Sequence, residues 1–184
     1  MGLIIAIVII VLLVLVYISL YNGLVKARMW VKEAWSQIDV QLKRRNDLIP
    51  NLVETVKGYA SHEKETLAKV VEMRNQLTQV PADNHEETMK VSNQLSDSLK
   101  TIFALSESYP DLKANQNFIQ LQEELTTTEN KIAYARQLYN SSVATYNIKL
   151  QSFPSNIVAK AHHFTEEAML ETPTEEKVVP KVSF

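Results

Sequence analysis

The sequence predicts an all-α protein: an N-terminal single-pass transmembrane helix followed by an antiparallel up-and-down helix bundle. Three observations predict it. From Gly2 to Tyr21 no residue is charged. Beyond that run, apolar residues recur every three or four positions, the spacing of one helix face. Glycine occurs only at Gly2, Gly23 and Gly58, and the period-two alternation of strands is absent.

Twenty helical residues rise roughly 30 Å, the thickness of a bilayer's hydrocarbon core. A cleaved signal peptide would need a basic start, a shorter apolar stretch and a small-x-small cleavage site. No Lys or Arg precedes the run, and it ends in Ile18-Ser19-Leu20-Tyr21. Residues 1–21 are therefore expected to be an uncleaved anchor. Lys26, Arg28 and Lys32 follow it directly. By the excess of cations on the cytoplasmic side, the N-terminus is expected outside and the bundle in the cytoplasm, with the bundle outside as the alternative. Tyr17 and Tyr21 suit the aromatic belt at the interface. Together with Lys26, Arg28 and Lys32 they are the candidate lipid-headgroup contacts.

Residues 22–161 carry the bundle stripes. The first holds Val31, Trp35, Ile38, Leu42, Ile49, Leu52, Val56 and Tyr59, with Arg45 the one polar intruder. It resumes at Leu67, Val70, Met73 and Leu77 after a slip near Glu63. A shorter stripe holds Leu95, Leu99, Ile102 and Phe103. A third runs from Phe118 through Leu125, Ile132, Tyr139 and Tyr146 to Leu150. Short connections near Pro81 and Pro110 make neighbouring helices antiparallel. Residues 162–184 are rich in glutamate and read as an irregular acidic tail, although Val178, Val179, Val182 and Phe184 could lie along a groove.

Within the first stripe, "QLKRRNDLIPNLV" (41–53) leaves the helix count open. A proline inside a helix forfeits one hydrogen bond and costs about 3 kcal/mol. In a first turn it costs almost nothing. A cap at Asn46 or Asp47 would put Pro50 in a first turn, giving four helices with a break at Asn46-Pro50. The apolar phase, however, runs through Pro50 without a reset, which favours three long helices, the first one kinked. Arg45 lies on the seam, so its stem can rest on apolar surface while its guanidinium meets a carboxylate. A structural ion pair is expected there. If the helix continues upright from Tyr21, Arg44 stands roughly 35 Å from the interface, beyond the reach of surface potential. An upright helix therefore cannot use Lys43 and Arg44 on its own membrane.

The residue types exclude much chemistry. Cysteine is absent, so no disulfide, thiolate zinc site or cysteine nucleophile exists. Three glycines cannot make a phosphate-cradling loop. A net charge of −2 gives no pull towards nucleic acid. A di-metal carboxylate bundle needs Glu three residues before His. Tyr59, Ala82, Ala159 and Lys160 stand three before His62, His85, His162 and His163. Adjacent His162 and His163 read as a solvated pair. No catalytic residue, metal ligand or cofactor is expected.

The stretch "YNGLVKARMWVKEAWSQIDVQLKRRNDLIPNLVETVKGYASHEKETL" (21–67) closely resembles the LemA family of bacterial membrane proteins. "YNIKLQSFPSNIVAK" (146–160) and "VPKVSF" (179–184) match as well. One departure is His162-His163, where the family usually carries an aromatic-glycine pair. The resemblance implies a single-pass protein with a helical-bundle domain at the cytoplasmic membrane, the N-terminus outside. It supplies no reaction, but the family-specific block around residues 41–53 makes Lys43, Arg44, Asp47 and Pro50 a candidate partner-docking surface. One relative takes part in organising magnetosome membranes, which admits a membrane-organising role. Two functions are therefore carried forward. The first is a non-enzymatic interaction or scaffold module whose partner is an unidentified membrane or cytoplasmic protein or a second copy. The alternative is a membrane-organising or remodelling protein that binds lipid directly.

Overall fold

A computed structural model describes residues 1–171. Among these residues the chain forms six α-helices and no strand: α1 (Gly2–Tyr59), α2 (Lys64–Gln79), α3 (His85–Leu105), α4 (Pro110–Lys113), α5 (Gln116–Gln151) and α6 (Ser155–Ala161). The chain divides into two compact units. Among the described residues, one comprises Met1–Gln37 and Ala135–Met169; the other comprises Ile38–Tyr134 with Leu170 and Glu171.

Helix α1 runs through Pro50 without a break. It ends instead at Tyr59, and α2 begins at Lys64. The slip in the apolar phase near Glu63 is this turn, so the described residues hold four long helices, with the interruption at residues 60–63. Tyr59, read as a seam residue, is 44% exposed; the core position belongs to Ala60, which is fully buried. The tyrosine hydroxyl instead accepts from Asn115 Nδ2 at 2.9 Å.

In the unit spanning Ile38–Tyr134 the core gathers from four helices. Ile49, Leu52 and Val56 come from α1, Leu67 and Val70 from α2, Leu95, Leu99 and Ile102 from α3, and Phe118 and Leu125 from α5. Each full burial of such a side chain contributes about 1.5–3 kcal/mol. Phe103 and Phe118 meet edge to face, their centroids 6.4 Å apart. Helix starts are set by asparagines. Asn84 Oδ1 accepts from the Glu87 amide at 3.1 Å at the head of α3. Asn115 Oδ1 accepts from the Phe118 amide at 3.0 Å at the head of α5. Glu86 and Glu87 in the first turn of α3 add favourable charge at that end. Arg45 and Tyr59 on α1 contact Glu129 and Asn115 on α5, in reversed order, so these stretches run antiparallel.

In the other unit α1 and α5 are antiparallel as well. Trp35 meets Tyr139 edge to face at 5.7 Å, and Lys149 Nζ lies 3.4 Å from the Gly23 carbonyl. Leu24, Ala27, Val31 and Ala34 of α1 are buried, as are Tyr139, Val143 and Tyr146 of α5. The small side chains at 27 and 34 let the helices approach. Residues 3–18 of α1 are exposed throughout, and the helix is long and apolar enough to cross a membrane.

Candidate functional site

The only buried arginine of the first stripe organises a polar knot in the unit spanning Ile38–Tyr134. Arg45 is fully buried. Its Nη1 donates to Glu129 Oε2 and to Ser96 Oγ, each at 2.8 Å. Its Nη2 donates to Ser92 Oγ at 2.7 Å and to the Ser92 carbonyl at 3.2 Å. Ser96 closes the ring by donating to Glu129 Oε1 at 2.7 Å. Ser92 and Ser96 sit four apart on α3, so both hydroxyls share the face turned to α1. Burial pushes the Arg45 guanidinium down from its ordinary value; the charge and hydrogen bond of Glu129 oppose this. A guanidinium keeps its proton even so. The arrangement commits both terminal nitrogens of Arg45 to holding three helices together, while its buried Nε has no hydrogen-bond partner.

Beside it, Arg74 of α2 resolves how α1 accommodates Pro50. Pro50 has no N–H for the carbonyl of Asn46, four residues earlier. Arg74 Nε donates to that carbonyl at 3.1 Å. Nothing in the spacing of residues 41–53 points to Arg74.

The candidate docking residues lie on the outside. Lys43, Arg44, Asp47 and Pro50 are all exposed. Lys43, Asp47, Pro50 and Glu54 follow one another at helical spacing and form one solvent-facing stripe. Arg44 Nη2 stands 3.6 Å from Glu124 on α5, both side chains about half exposed. Such a pair is worth about 0–1 kcal/mol.

The candidate lipid contacts belong to the other unit. Tyr17 is 44% exposed, and its hydroxyl is hydrogen bonded to His162 Nε2 at 2.8 Å. Tyr21 packs on the His162 ring at 4.7 Å and on Phe164 at 6.0 Å. Lys26, Arg28 and Lys32 are exposed. Lys26 Nζ lies 5.2 Å from the ring centre of Trp30, and Lys149 Nζ lies 6.0 Å from it on α5. An open groove of about 320 Å³ adjoins this tryptophan, lined also by Glu33, Ala34, Leu138 and Ser141.

The segment after α6 is irregular yet tied down. His163 has a φ of +54°, a left-handed conformation that favours glycine. The Phe164 amide donates to the Ala159 carbonyl at 3.0 Å and the His163 amide to the Lys160 carbonyl at 3.3 Å. These two bonds are the Schellman ending of a helix. The next residues are held along α5. Asn147 Oδ1 accepts from the Glu167 amide at 3.1 Å, and Asn147 Nδ2 donates to the Glu167 carbonyl at 2.9 Å. Gln151 Nε2 donates to Glu166 at 2.8 Å, and the Tyr139 hydroxyl to the Ala168 carbonyl at 3.3 Å. The suggestion that Val178, Val179, Val182 and Phe184 occupy a groove lies outside the described residues. Among the described residues no group of three or more His, Asp or Glu could hold a metal ion.

The LemA family model matches residues 34–184 of this sequence. The chain belongs to the LemA family. It is 26% identical over 163 residues to Protein LemA of Metamycoplasma hominis, covering 89% of this chain and 74% of the relative. It is 24% identical to Magnetosome protein MamQ 2 of Paramagnetospirillum magneticum and 22% identical to Magnetosome protein MamQ of Magnetospirillum gryphiswaldense. Each of these alignments covers 83% of this chain and 67% of the relative. Family membership and the apolar N-terminal helix fit a membrane-associated helical protein. The positive φ at His163, which ends α6, is a backbone conformation that glycine adopts freely.

Proposed function

We propose that this LemA-family protein is a non-enzymatic interaction or scaffold module, anchored in the bacterial cytoplasmic membrane by residues 1–21 with the bundle in the cytoplasm. One observation carries the reading. Helix α1 bears, in one piece, the apolar span, the core seam and the exposed stripe of Lys43, Asp47 and Pro50. The buried charge beneath that stripe is tied to structural partners by Arg45 bonds to Glu129, Ser92 and Ser96. The stripe itself offers a cation, an anion and a rigid ring to another protein or to a second copy. Magnetosome proteins among the relatives are compatible with work at a membrane surface.

Photocrosslinking in native membranes tests this. A benzoylphenylalanine at Lys43 or Asp47 is expected to give one recurrent protein adduct that the same probe at exposed Glu72 does not give. Adducts that are identical from all three positions, or none from Lys43 and Asp47, would overturn the reading.

A further inference from the structure

The corner between α5 and α6 carries large apolar side chains in the open. Phe153 is 80% exposed and Ile157 is 58% exposed. Their neighbours Val158 and Ala159 are buried, so α6 packs one face inward and leaves Ile157 and Lys160 outside.

Two contacts fix the height of this corner against α1. Lys149 Nζ at the Gly23 carbonyl sets the last turn of α5 level with Gly23. His162, bonded to the Tyr17 hydroxyl and stacked on Tyr21, sets the end of α6 level with the last turn of the uncharged run. Tyr17 lies about one turn, roughly 6 Å along the axis, before Tyr21. The chain from Ser152 to Ala161 therefore turns beside the end of the apolar span.

We propose that this corner is a second membrane contact, with Phe153 and Ile157 seated in the interface of the bilayer that holds the anchor. The inference rests on reading residues 1–21 as that anchor. A bilayer covering the run up to Tyr21 reaches the level of His162, and with it the corner. Lys149 and Lys160 flank the two apolar residues and place cations at headgroup height. Aromatic and aliphatic side chains with nearby lysines are the composition of interfacial contacts. The occupant is lipid rather than a second copy because the end of α6 is held, through His162, on Tyr17 and Tyr21 at the end of the exposed apolar span.

The absence of cysteine makes the test direct. Full-length F153C, I157C, L12C and S141C variants are spin-labelled and placed in nanodiscs of phosphatidylcholine with phosphatidylglycerol. Collision with oxygen, which concentrates in lipid, is compared with collision with a water-soluble nickel complex. The expected result is an oxygen-to-nickel ratio at 153 and 157 several-fold above that at 141, approaching that at 12. Ratios at 153 and 157 equal to that at 141, with 12 lipid-like, overturn the second contact and leave the anchor standing. A water-like label at 12 overturns the anchor and the corner together. Labels at 153 and 157 shielded from both oxygen and nickel mean protein covers the corner, which also overturns the proposal.

Discussion

Arg74 Nε donates to the carbonyl of Asn46, the one helical acceptor that Pro50 cannot serve. A side chain from α2 thus supplies a hydrogen bond that the backbone of α1 has lost, and α1 continues to Tyr59. Arg74 and Pro50 are therefore expected to couple energetically although their own side chains need not touch.

Replacing Arg74 with alanine strands the Asn46 carbonyl and is expected to cost about 1–2 kcal/mol. In a Pro50→Ala background residue 50 donates to that carbonyl, and the same substitution should cost about half as much or less. Urea unfolding of the four proteins in detergent measures the coupling. Equal costs in both backgrounds would detach Arg74 from the proline.

The polar knot predicts an asymmetry. Arg45 is fully buried, whereas the Glu129 side chain is 43% exposed. Glu129→Ala leaves a buried cation without its anion and should cost about 3 kcal/mol. Arg45→Met leaves a carboxylate that water can reach, and Ser96 still bonds to the Ser92 carbonyl at 3.1 Å. It should cost roughly half as much. Calorimetry that ranks the two in the opposite order would show that packing of the arginine stem dominates.

Burial raises the pKa of Tyr139 and of Tyr146, with the charge of Glu167 adding in both and Arg28 opposing in Tyr146. Both phenols are neutral when protonated, and folding holds that proton more tightly. Their contribution to stability is therefore complete below the unfolded value, near about 10, and is lost as pH rises through the folded value. Tyrosinate absorbance should report these two rings late, together with alkaline unfolding. The Tyr146 hydroxyl is buried without a hydrogen-bond partner. Tyr146→Phe should be neutral or stabilising by up to about 1 kcal/mol, and should extend the folded range towards high pH.

At the end of α6, His163→Gly should stabilise by about 1 kcal/mol, because the histidine holds a left-handed backbone that glycine adopts freely. His163→Val should destabilise by more than that. Melting temperatures of the two variants in one detergent give the comparison. A loss on introducing glycine would mean that the imidazole makes a contact of greater worth than the strain.

The amide of Glu167 should exchange with deuterium about 10-fold faster or more in Asn147→Ala, which removes both bonds to that peptide unit. Asn147→Asp keeps the acceptor and loses the donor, so its exchange should fall between. Unchanged exchange would place the anchoring of this segment elsewhere.

The parts of the fold that depend on local spacing were legible in the sequence. The uncharged run to Tyr21 states a helix, and the stripe from Phe118 to Leu150 states a helix and its buried face. The end of α1 was visible only as a slip near Glu63, because Ala60 rather than Tyr59 takes the core position, and size alone does not foretell that. That Arg45 interrupts an apolar row is legible; that it reaches Glu129, 84 residues away, is not. Arg74 and Asn147 left no local signal, since each serves a backbone group remote in sequence. The segment from Phe164 to Met169 has the composition of a loose tail and is nonetheless tied down, because its bonds run through main-chain atoms that composition does not record.

The most direct test of the membrane-anchored account is the fate of residues 1–21 in the mature chain. Bacterial membranes are washed with alkaline carbonate and the intact mass of the protein is measured in pellet and supernatant. The account predicts a pelleted chain that retains the whole apolar run from Gly2 to Tyr21. A carbonate-soluble chain that has lost that run would contradict it.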